Sequence, residues 1–188
     1  MPILLLTPFF GNEAVGFLSV AILLGYTPIG TITRAIYQVM YQHTMDCVHL
    51  RQTIGNIFKQ FLIYTSAIII PVFVGLWFVL PGLTAWLLGD EWHISGEYIR
   101  WMLPWLYMSL LSCSINYLFD VFMKQKWGLF FEIILAVMRI IGLVVGVLFS
   151  SFMTAVICYS LATAIALVVQ IVWMLSQVRQ YDKSLSDN

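Results

Sequence analysis

The stretch from Ile57 to Leu80, IFKQFLIYTSAIIIPVFVGLWFVL, carries one charged residue, Lys59, near its start and then runs on without another. A helix needs roughly 20 apolar residues to cross the hydrocarbon core of a bilayer. Backbone groups cannot turn to water there, so only helices and closed barrels span it. A transmembrane strand would show roughly ten residues of alternating polarity. These apolar stretches are longer and uninterrupted, which excludes a barrel. Four further stretches read the same way: Ala14 to Tyr41, Tyr98 to Met123, Gly128 to Phe149 and Phe152 to Gln177. Hydrophobic residues make up 61% of the chain and charged residues 10%, a balance that no soluble domain of this size needs. The expected fold class is therefore an all-α integral membrane bundle, with about five transmembrane helices and an N-terminal helix stub.

The stub, Met1 to Phe10, is too short to span and lacks the basic region of a signal peptide. It reads as the end of a helix whose beginning lies outside this sequence. Thr7, Pro8, Gly11 and Asn12 supply breakers for the turn into the first full span. The expected organisation is one transmembrane unit over 1–179 and a polar, mobile cytoplasmic tail over 180–188.

Alternate connections differ in charge. One set holds Arg51 and Lys59, then Lys124 and Lys126, then Arg179 and Lys183, whereas Leu4 to Glu13, Pro81 to Glu97 and Ser150 to Ser151 contain no Lys or Arg. By the positive-inside rule the basic set and the C-terminus face the cytoplasm. The connection with Asp90, Glu91 and Glu97 then faces outward, flanked by Trp86, Trp92, Trp101 and Trp105 as an aromatic belt.

Composition also removes several function classes. Nine basic residues balance nine acidic ones, and no basic cluster is interleaved with aromatic residues, so nucleic acid is not an expected partner. Cys47, Cys113 and Cys158 show no CxxC spacing and read as small hydrophobic residues. His43, Cys47 and His49 share one connection but match no zinc pattern, so neither a metal site nor a cofactor is expected. No phosphate-binding loop of the GxxxxGK[ST] kind is present.

Polar groups inside the spans are the candidates for function, because a charge at membrane depth costs a few kcal/mol and tends to face a cavity or a partner. Arg139 lies near the middle of the fourth span, roughly 18 Å from its basic end by the helical rise. Glu132 precedes it on the same face, about 10 Å away along the helix. That separation disfavours a direct ion pair. Arg34 lies in the basic-side half of the first span and Asp120 near the basic end of the third, where snorkelling to the interface is an alternative to function. Arg139 can attract a diphosphate through its planar guanidinium, or neutralise a carboxylate from another part of the bundle. Glu132 can carry a coupling proton, or anchor to Lys124 or Lys126. Pro28 and Gly30, and Pro71 and Gly75, mark places where helices can bend. Gly142 and Gly146 form a small-xxx-small step that admits a close helix neighbour.

The runs GFLSVAILLGYTPIGTITRAIYQVMYQ, LLGDEWHISGEYIRWMLPWLY and KQKWGLFFEIILAVMRIIGLVVG are the most informative segments. They resemble, in order and spacing, the C-terminal half of bacterial polysaccharide (O-antigen repeat-unit) flippases. These belong to the multidrug/oligosaccharidyl-lipid/polysaccharide exporter superfamily. The resemblance extends from Pro8 to about Gln177 and is most specific at Gly89 to Trp92, with Tyr98, Arg100 and Pro104 following. The turn from Lys124 to Lys126 leading to Glu132 and Arg139 is the other specific element.

The resemblance implies one half of an exporter bundle of about twelve helices, in two similar halves around a central cavity that works by alternating access. The expected ligand is a polyprenyl-diphosphate-linked oligosaccharide, moved across the bacterial inner membrane for O-antigen or exopolysaccharide. Arg139 and Arg34 are then expected to contact diphosphate or acidic sugar, with Glu132 and Asp120 as coupling or cavity residues. Membrane lipids and a unit supplying the other half are the expected partners, and no catalytic residue follows because flipping breaks no covalent bond. A drug or cation exporter of the same superfamily, a membrane glycosyltransferase or polymerase component, and a nonfunctional truncated remnant are the alternatives.

Overall fold

A computed structural model describes residues 2–149 and 151–186. Met1 of the expected stub, Ser150 of the connection expected to face outward and 187–188 of the expected tail lie outside the described residues. The rest is helical, with no strand among the described residues. The elements are α1 (Pro2–His49), α2 (Gly55–Leu88), a 3-10 turn at Asp90–Trp92, α3 (His93–Ile115), a short α4 (Leu118–Val121), α5 (Gln125–Leu148) and α6 (Phe152–Ser186). Five helices are long and apolar enough to cross a membrane, as the hydropathy pattern predicts.

α1 is two helical pieces joined at Gly11, whose φ of 80° and ψ of 171° lie outside the helical region. Only glycine takes up such a conformation readily. An unbroken helix would hold Leu6 about 18 Å from Leu18. Instead Leu6, 1% exposed, lines the same small void as Leu18 and Ile22, and Phe10 meets the Phe152 ring edge-on at 5.3 Å. The stub therefore folds back against the bundle at the predicted breaker.

α3 is the central helix, packing against α1, α2 and α6, while α5 packs mainly on α6. Of the most apolar 18 residues of each helix, 72% are buried in α3 and none in α2. α2 thus presents an almost wholly apolar surface to its surroundings. Three small contacts tie α3, and the turn that follows it, to α1 and α2. Ser95 Oγ donates to the Phe17 carbonyl at 2.9 Å, the Ser66 and Tyr107 hydroxyls meet at 2.7 Å, and the Thr44 and Tyr117 hydroxyls meet at 2.7 Å. Close approach uses glycine where the small-xxx-small step predicts it. A Cβ on Gly142 would lie 2.8 Å from the Cys158 carbonyl oxygen, and one on Gly146 would overlap the Ala155 backbone.

Two helix ends carry detail that apolar length does not give. The third span, one membrane-length segment over Asp90–Val121, tightens near its end. After Ile115 the chain tightens into 3-10 bonds, Phe119 N to Asn116 O at 3.2 Å and Asp120 N to Tyr117 O at 3.0 Å. Met123, at φ 54°, then closes the end in the left-handed region. The tail expected to be mobile continues α6 to Ser186. Asp182 explains why: its carboxylate accepts the N–H groups of Ile54 at 2.9 Å and Gly55 at 2.8 Å, capping the start of α2.

Candidate functional site

Two clefts meet beside α3. The first, about 450 Å³, lies between α1 and α3 and is lined by Tyr26, Gly30, Thr33, Arg34, Tyr37 and Gln38 from α1. The second, about 310 Å³, lies among α3, α5 and α6 and takes Glu132, Arg139, Tyr159 and Gln170 into its wall. Tyr26, Ser109 and Cys113 line both, so the two adjoin there. Three of the four sequence-predicted residues, Arg34, Glu132 and Arg139, thus lie in two adjoining clefts.

The fourth is not. Asp120 is exposed in α4, accepts a hydrogen bond from Gln125 Nε2 at 3.1 Å, and lines neither cleft. Its place beyond the tightened turn follows from the early end of α3.

Arg139 brings a partly buried cation into the second cleft. Its Nε is buried without a hydrogen-bond partner among the described residues. No carboxylate there comes within ion-pair distance of it; the ion pair among the described residues joins Arg100 to Glu97 at 3.1 Å, with the Arg100 guanidinium 5.3 Å over the Trp77 ring. A guanidinium has five N–H donors and no acceptor, so in a medium of low dielectric it favours an anionic or oxygen-rich ligand. Glu132 is exposed at the cleft. Lys124, one of its expected anchors, is engaged elsewhere: Nζ donates to Gln177 Oε1 and lies 5.8 Å over the Trp173 ring.

Several cleft residues escaped the sequence reading. Gln170, 1% exposed, donates through Nε2 to Asn116 Oδ1 at 3.0 Å, and its own Oε1 is left without a partner among the described residues. The signal was present, since Gln170 interrupts the apolar run LVVQIVW, but attention to charge passed over an uncharged amide. Trp105 corrects the belt assignment. It is buried, stacks on Tyr26 at 6.1 Å and meets Tyr159 edge-on at 5.4 Å, so it forms the aromatic wall of the second cleft. Trp86, by contrast, is 80% exposed.

Helices α1 and α2 run through Pro28 and Pro71, and the non-helical backbone inside α1 is at Gly11. Among the described residues no three His, Cys, Asp or Glu side chains gather as a metal site.

Five membrane-length helices, with arginines, amides and aromatic rings in the walls of two adjoining clefts, define a multi-pass membrane protein. The chain belongs to the family of polysaccharide biosynthesis proteins, whose family model matches residues 1–97, just over half of the 188. No curated protein and no solved structure gives a significant match. The matched part contains Tyr26, Arg34 and the Gly89–Trp92 turn, whereas Trp105, Glu132, Arg139 and Gln170 lie beyond it.

Proposed function

We propose that the chain forms one wall of a path that moves a lipid-linked oligosaccharide, a polyprenyl-diphosphate repeat unit, across the cytoplasmic membrane for polysaccharide assembly. The observation that carries this reading is the buried Nε of Arg139, without a partner among the described residues, in a cleft that adjoins the one holding Arg34. Two guanidinium groups suit a diphosphate. The amides of Gln38 and Gln170 offer hydrogen bonds to hydroxyl groups, and the rings of Tyr26, Trp105 and Tyr159 offer flat apolar faces to the C–H surfaces of a sugar. Translocation requires no bond to be made or broken, and no residue is assigned a catalytic role.

Arg34 and Glu132 are exposed at the cleft. At membrane depth a charge turned to hydrocarbon costs a few kcal/mol. We therefore assign the open side of the cleft to a second helical unit, which completes the path. We assign the basic end of the bundle, with the C-terminus, to the cytoplasm, a reading supported by its excess of Lys and Arg; a C-terminal phosphatase fusion that is active would reverse that orientation.

The test is Arg139→Ala in the native gene, with surface polysaccharide and membrane level measured together. Loss of surface polysaccharide at a normal membrane level is expected, with lipid-linked repeat units accumulating. Normal surface polysaccharide removes Arg139 from the path. Loss accompanied by absence of lipid-linked intermediates points instead to a role in synthesis.

A further inference from the structure

α2 and α6 meet at the basic end of the bundle, where Asp182 holds the Ile54 and Gly55 amides. Between them lies a groove of about 620 Å³, separate from the cleft of Arg139. Its mouth is cationic. Lys59 and Arg179 line it and are exposed, and Asn56 adds an amide. The acid in its wall, Asp182, is engaged by two backbone N–H groups. Neither cation is ion-paired among the described residues. Positive charge is left over at the mouth.

One turn further along, the walls become apolar. Leu62 and Ile63 follow Lys59 on α2 at i+3 and i+4, and Leu175 precedes Arg179 by four on α6, so each lies on the same helix face as its cation. A cationic mouth continuous with an apolar trough, between two helices at the end of their spans, matches a molecule with a phosphate and acyl chains. Free phosphate would use the mouth alone and leave the trough without an occupant.

We propose that this groove binds an anionic glycerophospholipid, its phosphate held by Lys59 and Arg179 and an acyl chain lying along Leu62, Ile63 and Leu175. The experiment is native mass spectrometry of the full chain, delipidated in detergent and titrated with phosphatidylglycerol or with phosphatidylcholine of the same acyl composition. Phosphatidylglycerol should bind the more tightly. Its preference should fall by about fivefold for each cation removed, in Lys59→Gln, in Arg179→Gln and further in the double variant. The charge-preserving pair Lys59→Arg and Arg179→Lys should retain it, which separates charge from folding. Equal binding of the two lipids, an undiminished preference in the folded single variants, or displacement of phosphatidylglycerol by inorganic phosphate at equal concentration would overturn the proposal.

Discussion

Asp182 and Gly55, 127 positions apart in sequence, are joined by a 2.8 Å hydrogen bond from the Gly55 amide to the Asp182 carboxylate. The same carboxylate takes the Ile54 amide at 2.9 Å, so the last turns of α6 supply the cap that α2 lacks locally. Removing a capping side chain costs about 1 kcal/mol. Asp182→Ala should therefore lower the thermal unfolding temperature in detergent, and Asp182→Asn should recover part of the loss because its amide oxygen can still accept. An unchanged unfolding temperature in Asp182→Ala would show that the cap adds nothing to stability.

The contact of Gly146 with Ala155 leaves no room for a side chain. Enlarging a residue in a packed interface costs about 1–3 kcal/mol, and the backbone here cannot move away as a flexible side chain would. Gly146→Leu should separate α5 from α6 and reduce recovery of monodisperse protein, and Gly142→Leu should do likewise. Gly75→Leu, where a Cβ meets nothing within 4 Å, is the matched control and should be recovered normally.

Tyr117 is fully buried, and its hydroxyl meets that of Thr44 at 2.7 Å. Hydrogen bonds between membrane helices are worth about 0.6 kcal/mol on average. Tyr117→Phe and Thr44→Val should each destabilise the bundle by a similar small amount, and the double variant by less than their sum. Strict additivity would mean that the two hydroxyls are not coupled.

Cys113 lines both clefts, whereas Cys47 is buried and lines neither. If the cleft admits water, a small charged thiol reagent should label Cys113 in a Cys158→Ser background and leave Cys47 unmodified in the folded protein. Equal labelling of both, or of neither, would contradict a wet cleft.

The sequence predicts the helices far better than it predicts their arrangement. Hydropathy located every span because apolar length is a property of one segment at a time. It marks where the hydrocarbon stops, not where hydrogen bonding stops, which is why α2 runs to Leu88 and α6 to Ser186, beyond the expected ends. The Gly11 break and the Gly142–Gly146 contact were legible because glycine has a local signature. The placing of α3 at the centre was not, nor the pairing of Gln170 with Asn116 across 54 positions, because neither depends on nearby residues. Arg139 and Arg34 stood out as charges in apolar runs, while Trp105 resembled any interfacial tryptophan until its neighbours Tyr26 and Tyr159 were in place.

The bare outer face of α2 has a consequence for how this chain tolerates change. Lipid tails solvate such a face about as well as another helix does, so its Ile, Val and Phe residues fix that α2 is immersed without fixing where it stands. Its standing place is set on its packed side: Asp182 and the buried Phe58 at one end, Ser66 and Phe73 on Tyr107 and Trp77 on Trp101 midway, and the approach of Gly96 to Pro81 and Thr84 at the other. A substitution map of α2 should accordingly be silent at its exposed apolar residues, such as Ile68, Val72 and Phe78, and sensitive along the packed side.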